Sequence, residues 1–135
     1  MTTLKEIVVI GNDLEERSPR LIGDLRGQGF QVTKIRRTAD LAGLLEEKPQ
    51  VTVLTYEPKG KRAAEEALRA VGKAGKKTPV VALVEHGSFE DYYDLMSKGA
   101  YDYFESSHNL DAIERTVERA AGTRAGQAAP SATSN

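Results

Sequence analysis

The sequence predicts a doubly wound α/β fold, in which helices cover both faces of one parallel five-stranded sheet. Short apolar segments rich in valine and isoleucine alternate along the chain with segments of helical periodicity. This alternation is typical of parallel strands buried between crossover helices. The length of 135 residues supports one hydrophobic core, and the hydrophobic content of 39% is ordinary for a globular chain. We therefore expect one domain over residues 1–121.

Five segments have the composition of strands, and each is short and bounded by turn formers or polar residues. Five strands suffice for the flavodoxin-like order 2-1-3-4-5. The predicted strands are residues 6–10, 31–35, 51–55, 80–84 and 101–104.

The first of five predicted helices contains Leu21, Ile22 and Leu25 at helical spacing. Ser18 and Pro19 precede these residues. They could form the cap and first turn of the helix, or they could kink it, and the sequence leaves both interpretations open.

The later helices are placed by caps and by apolar periodicity. Ser88 with Asp91 predicts a capping box at the start of the fourth helix. Asn109 or Asp111 would cap the fifth helix. The second and third helices are indicated by Leu41, Leu44 and Leu45 and by the alanine-rich residues 62–71.

The overall charge argues against nucleic acid and anionic membranes as partners. Lys+Arg 19 against Asp+Glu 20 gives a net charge of -1. The basic stretch 59–77 has no interleaved aromatic residues, so we interpret it as a solvated helix face. Cysteine is absent, which excludes disulfides and thiolate chemistry. With no leader or membrane-spanning pattern either, a cytoplasmic location is expected.

The end of the chain differs in composition from the rest. Residues 122–135 are small and polar, with no apolar periodicity. Such a composition predicts a disordered tail, which would serve equally as a linker or as a terminus.

Residues 79–87 and 99–104 carry a resemblance to a known family. The phrases Pro-Val-Val-Ala-Leu-Val-Glu-His-Gly and Gly-Ala-Tyr-Asp-Tyr-Phe resemble the last two strands of bacterial response-regulator receiver domains. The spacing of the five strands and Pro49 before the third strand extend the resemblance to about residues 4–121. The resemblance implies a receiver fold and a role in two-component signal transduction.

The phosphotransfer positions implied by that resemblance carry different side chains here. The family's two acidic residues after the first strand fall on Gly11 and Asn12, and its phosphoacceptor aspartate falls on Thr55. Its hydroxyl residue falls on Val84 and its lysine on Ser106. All five positions depart from the pattern.

These departures remove the family's chemistry step by step. The hydroxyl of Thr55 cannot form an acyl phosphate. Gly11 and Asn12 offer little charge to offset the dehydration of Mg²⁺, and Ser106 cannot neutralise phosphoryl oxygens. We therefore expect a pseudo-receiver that is no enzyme, binds no cofactor and acts by protein-protein recognition.

Two alternative functions stay open. Asp13 and Glu57 could rebuild a cation site and permit phosphorylation by an unusual route, although we favour Asp13 as a helix cap and Glu57 as solvated. A flavodoxin-like binder of a small ligand is the second alternative, but Gly11 is a single glycine where a dinucleotide loop needs several. His86 and His108 also follow strands, without the spacing of metal ligands.

A cluster of aromatic residues near the last two predicted elements indicates a surface for a partner. The resemblance implies an output face made by the fourth helix, fifth strand and fifth helix, on which Tyr103 matches an aromatic that swings inward on phosphorylation. The predicted face comprises Phe89, Tyr92, Tyr93, Tyr101 and Tyr103. Polar-tipped aromatics are favoured at interfaces, although any one of them could belong to the core. The partner would be a signalling protein or a second copy of the chain.

Overall fold

The computed structural model describes residues 5–11, 13–48, 50–107 and 110–122. Within these residues, five parallel strands form one sheet of order 2-1-3-4-5, which confirms the predicted fold class. The strands are β1 Glu6–Ile10, β2 Gln31–Ile35, β3 Val51–Lys59, β4 Val80–His86 and β5 Asp102–Glu105. No helix in these residues is both long enough and apolar enough to cross a membrane.

The same residues contain six α-helices and a 3-10 turn at Thr38–Asp40. The helices are α1 Leu14–Arg17, α2 Pro19–Gly27, α3 Leu41–Glu47, α4 Arg62–Lys73, α5 Phe89–Ser97 and α6 Leu110–Gly122. Five were predicted, and the extra one arises because the first helical segment breaks at Ser18. Pro19 takes the first position of α2, where its missing N–H costs nothing.

The helices divide between the two faces of the sheet. Residues of α2 and α6 pack with Ile7, Val9 and Leu54 on one face. Residues of α3 and α4 pack with Val8 and Val53 on the other. On that second face, α5 covers the end of the sheet formed by β4 and β5. Strand alternation therefore decides which helix each strand residue meets.

β3 and β4 extend beyond their predicted ends at residues 55 and 84. Their pairing continues to Lys59 and His86, whereas β1 stops pairing with β3 at Thr55. Beyond Thr55, β3 therefore has a free edge on the β1 side. Pro58 is tolerated there because an edge position requires no N–H for the ladder.

The two ends of the domain only partly fall within the described residues. α6 reaches Gly122, one position past the predicted boundary at residue 121. Asp111 lies inside the first turn of α6 and is not its cap. The alternative cap Asn109, the proline Pro49 and the predicted tail beyond residue 122 lie outside the described residues.

Candidate functional site

Thr55 occupies the acceptor position at the end of the β1–β3 pairing. It lies between Ile10 of β1 and Ala82 of β4 in the sheet register. The residue is 0% exposed, and its Oγ1 has no hydrogen-bond partner among the described residues. A hydroxyl is a poor nucleophile unless a base lies beside it, and burial separates Thr55 from solvent.

Glu57 is partly buried and accepts a hydrogen bond, whereas the favoured sequence interpretation had it solvated. Its Oε2 accepts a hydrogen bond of 3.0 Å from the N–H of Ala63, in the first turn of α4. Lys61 at the N-cap provides no side-chain cap, so the carboxylate of Glu57 stabilises the positive end of this helix. Burial raises the pKa of Glu57, and its hydrogen bonds to α4 amides oppose that rise.

Asp13 precedes α1 at the N-cap position but makes no capping hydrogen bond, so the expected cap does not form. Its carboxylate instead faces Arg17, with 4.0 Å between the charged atoms. No group of three or more His, Cys, Asp and Glu side chains within the described part of the chain could hold a metal ion. Asn12 and His108 lie outside that part.

The side chains of Tyr56, Glu85 and Arg17 form a bridge across the ends of the strands, which we call the strand-end bridge. The sequence reasoning missed it. The Tyr56 hydroxyl donates a 2.8 Å hydrogen bond to Glu85 Oε2 on β4. Arg17 Nη1 of α1 lies 3.1 Å from the same oxygen. Burial, reinforced by the bond to Glu85, raises the pKa of Tyr56 to about 12. The signal was strand alternation, which turns Tyr56 to the face opposite Thr55.

Gly11 is required because the backbone of Tyr56 passes close to it. Its φ of +144° is unfavourable for any residue with a Cβ. An added Cβ would lie 2.8 Å from the carbonyl oxygen of Tyr56. A glycine therefore stands where the resemblance implied an acidic ligand, and the space beyond it is filled by backbone.

Val84 and Ser106 follow the remaining strands and are joined by the backbone. The N–H of Ser106 donates a 2.6 Å hydrogen bond to the carbonyl of Val84. The Val84 side chain is buried with Ala64 and Leu95 under α4 and α5. The structure thus gathers Gly11, Thr55, Val84 and Ser106 at the carboxyl ends of four strands.

The aromatic cluster is partly exposed, and its outer part lies on α5. Phe89 is 80% exposed and Tyr93 is 67% exposed, and their rings stack with centroids 6.2 Å apart. Tyr92 lies beneath them, with its ring edge-on to Tyr93 at 5.5 Å and to Tyr103 at 6.1 Å. We call Phe89, Tyr92, Tyr93 and Tyr103 the aromatic face.

Tyr103 connects this face to the start of α5. Its ring is buried, and its hydroxyl accepts a 3.0 Å hydrogen bond from the N–H of Ser88. The Oγ of Ser88 accepts from the N–H of Asp91, so only half of the predicted capping box forms and Tyr103 completes the cap. Gly87 permits this packing, because a Cβ there would lie 3.0 Å from the Tyr103 hydroxyl. Burial raises the pKa of Tyr103.

Tyr101 does not belong to the aromatic face, which corrects the sequence prediction. β5 begins at Asp102, so the strand alternation that places Tyr103 does not extend to Tyr101. The Tyr101 side chain is buried on the opposite side of the sheet, in the cluster that contains Ile113 and Val117 of α6.

Comparisons with known proteins agree with this geometry at the level of the fold. No family model matches the chain. The nitrogen assimilation regulatory protein NtrX of Azorhizobium caulinodans is 29% identical over 119 residues, which is 86% of this chain. Those residues span only 26% of NtrX, so the chain corresponds to about a quarter of that relative.

Several solved receiver domains share the architecture. FixJ-N matches with a TM-score of 0.73 and 20% identity, over 94% of this chain and 100% of its own. The beryllofluoride-activated NtrC4 receiver domain dimer matches with 0.73 and 16% identity, over 88% of this chain and 98% of its own. The receiver domain of a LuxO repressor from Vibrio parahaemolyticus matches with 0.69 and 16% identity, over 87% and 93%. The chain therefore has the receiver fold.

Proposed function

We propose that this chain is a pseudo-receiver that takes part in signal transduction by binding another protein and does not accept a phosphoryl group. The observation that carries the proposal is the buried hydroxyl of Thr55. A phosphoacceptor must meet its donor and then hold a dianionic group in contact with solvent and Mg²⁺. Thr55 is fully buried between two strands, and its hydroxyl has no hydrogen-bond partner among the residues that the structure describes.

The carboxylates near Thr55 are already committed to other contacts. Glu57 stabilises the start of α4 through Ala63. Glu85 accepts from Tyr56 and pairs with Arg17. Recruiting either of them for Mg²⁺ would break a hydrogen bond in a partly buried site, which opposes cation binding. This favours the pseudo-receiver over a receiver with an unusual phosphorylation route.

The aromatic face supports recognition of a partner. Phe89 and Tyr93 expose stacked rings to solvent, and such rings bury much area in a complex while losing little side-chain entropy. Tyr103 is turned inward without any phosphorylation, in the direction that the receiver resemblance associates with the activated state. We propose that the domain presents this face to its partner constitutively. Since the activated NtrC4 receiver domain is a dimer, a second copy is one candidate partner.

A direct test treats the chain with acetyl phosphate and Mg²⁺, and separately with beryllofluoride and Mg²⁺. Intact mass and amide NMR spectra are recorded, following Gly11, Thr55, Val84, Tyr103 and Ser106. The proposal predicts no mass increase and no saturable shift. A phosphorylated species, or shifts spreading from Thr55 to Tyr103, would show that the pocket retains receiver chemistry.

The aromatic face is tested by a double substitution, F89S with Y93S, and by a matched control, Arg69→Ser, at an exposed position on α4. Sedimentation over a range of concentrations measures self-association, and quantitative affinity capture from the source cells measures other partners. We expect the double variant to lose an association that the wild type and R69S keep. Equal association by all three proteins would contradict a role for this face.

A further inference from the structure

An open cavity of about 470 Å³ lies beside the strand-end bridge, on the side of β2. It is lined by Gly11 and Tyr56 at the strand ends and by Arg36, Arg37 and Thr38 in the segment after β2. The chain leaves β1 toward α2 on one face of the sheet and leaves β3 toward α4 on the other. The cavity therefore lies at the point where the winding reverses, which is where doubly wound sheets bind ligands.

The charge at this cavity is positive. Arg36 makes no ion pair within the described part of the chain, and its side chain is exposed. Arg37 lies 3.8 Å from Asp40, but both side chains are exposed, so solvent screens that pair. Both guanidinium groups are therefore available to a ligand.

Glu66 is the acidic side chain at the cavity wall, and its oxygens are already engaged. One accepts a 3.2 Å hydrogen bond from the Thr38 hydroxyl, and the other accepts 3.3 Å from Arg62 Nε. Arg62 already pairs with Glu66. Arg36 and Arg37 outnumber this one carboxylate in the cavity lining, so the lining is net positive. A cavity with this balance repels a divalent cation and attracts an anion.

We propose that this cavity binds a small phosphorylated anion, whose phosphate is held by Arg36 and Arg37. The planar guanidinium group donates two parallel hydrogen bonds that match the oxygens of phosphate. The volume lies in the range of small-molecule sites and accommodates a phosphate with an attached organic group. This inference goes beyond the proposed function and does not depend on it, because the aromatic face lies at the β4 and β5 end of the sheet.

The test is an amide NMR titration of the whole chain at low ionic strength. The probes are inorganic phosphate, pyrophosphate and ADP, and sodium chloride at matched ionic strength is the reference. The amides to follow are those of Gly11, Thr38 and Ala39 at the cavity. We expect saturable shifts with pyrophosphate or ADP, and tighter binding of ADP would show that the organic group also contributes.

The matched variants are R36S/R37S at the cavity and R69S on the exposed side of α4. The double variant is expected to bind at least about tenfold more weakly, because each arginine contributes charged hydrogen bonds. R69S should bind as the wild type does. Unchanged affinity in R36S/R37S, or shifts that chloride reproduces, would overturn the proposal.

A conservative variant guards against a folding defect. R36K keeps the positive charge and loses the planar fork, so we expect a folded spectrum with several-fold weaker binding. If R36S/R37S is unfolded, R36K decides the question alone. Binding of pyrophosphate by R36K as tight as that of the wild type would then mean that the assignment of the phosphate to the arginines is wrong. Saturation of the same amides by Mg²⁺ alone would also overturn it.

Discussion

The strand-end bridge and the aromatic face lie at the same edge of one sheet but use their side chains in opposite ways. At the bridge, Tyr56, Glu85 and Arg17 satisfy one another. On the aromatic face, Phe89 and Tyr93 remain exposed although they are large and apolar. The contrast shows that polar side chains at the strand ends satisfy one another within this chain, whereas large apolar side chains on α5 stay exposed to solvent.

One cross-strand row connects Thr55, next to the bridge in the sequence, with Tyr103 of the aromatic face. Thr55 pairs with Ala82, and Ala82 pairs with Tyr103, so these residues lie side by side across β3, β4 and β5. The small side chain of Ala82 separates the buried hydroxyl from the buried ring. Substituting Thr55 by aspartate therefore tests whether the strand ends tolerate the charge that receivers place there.

The largest effect is expected for Thr55→Asp. A carboxylate in this fully buried site would have no cation beside it, and it would lie near the partly buried Glu57. We expect the free energy of unfolding at pH 7, measured by urea denaturation, to fall by about 3–5 kcal/mol. Thr55→Val is the control and should be neutral or stabilising by about 1 kcal/mol, because it removes an unpartnered hydroxyl. A stable T55D protein that gains Mg²⁺ binding would show that the strand ends tolerate the carboxylate that receivers place there.

Gly11→Ala is expected to have the second largest effect. The new Cβ would lie 2.8 Å from a backbone oxygen of Tyr56, and the φ of +144° is strained for alanine. Urea denaturation should show a loss of about 2–4 kcal/mol. Gly43→Ala on α3 is the matched control, since nothing lies within 4 Å of its Cβ position and alanine favours a helix. Similar losses in both variants would contradict close packing at the bridge.

Tyr56→Phe should cost about 1 kcal/mol at pH 7, because Glu85 loses its hydroxyl donor. The pKa of Tyr56 is raised to about 12 in the folded chain, above about 10 in an unfolded one. The stabilisation from Tyr56 is therefore complete below pH 10 and declines as the pH rises toward 12. Urea midpoints between pH 7 and about pH 11 should converge for wild type and Y56F. A difference between the two proteins that does not change with pH would mean that the raised pKa does not belong to Tyr56. Y93F, at an exposed tyrosine, is the control.

Tyr103→Phe tests the connection between the ring and α5. The N–H of Ser88 would lose its acceptor, with a cost of about 1 kcal/mol. Hydrogen exchange at the Ser88 amide should become about fivefold faster, while that of Leu83 in β4 should change less. Equal acceleration at both amides would indicate global destabilisation and not a local cap.

The smallest effect on stability is expected for F89S with Y93S. Both side chains are exposed, so the free energy of unfolding should change by no more than about 0.5 kcal/mol. Leu95→Ala on the same helix is the contrast, because Leu95 is fully buried and should cost about 2–5 kcal/mol. A large loss in F89S/Y93S would mean that these rings stabilise the fold and are not reserved for a partner.

Much of the fold was predictable because periodicity reports burial. β1 and β2 have the predicted bounds, Glu6–Ile10 and Gln31–Ile35, and the strand order is the predicted one. The extension of β3 past Thr55 was not predictable, since Glu57 and Pro58 look like loop residues. They are accommodated because that part of β3 pairs with β4 alone.

The candidate site was predictable only in its positions. The resemblance located Gly11, Thr55, Val84 and Ser106, and the structure places them at neighbouring strand ends. It did not indicate that Tyr56 would bond to Glu85, because those residues are far apart in the sequence. The sequence reasoning also placed Tyr101 on the same face as Tyr103, because it began the strand at residue 101; β5 begins at Asp102, so the alternation does not include Tyr101.

The sequence by itself determined the layers of this protein, the order of its strands and the absence of phosphotransfer side chains at the expected positions. The layers and the strand order follow from local composition and spacing, whereas the expected phosphotransfer positions follow from the resemblance to receiver domains. Tertiary structure alone decided that Thr55 is fully buried and that Glu57 accepts a hydrogen bond from the first turn of α4. It also decided that Tyr103 completes the cap of α5 and that two arginines line an open cavity. Each depends on which side chains meet across different strands and helices, and only the packed sheet brings those residues together.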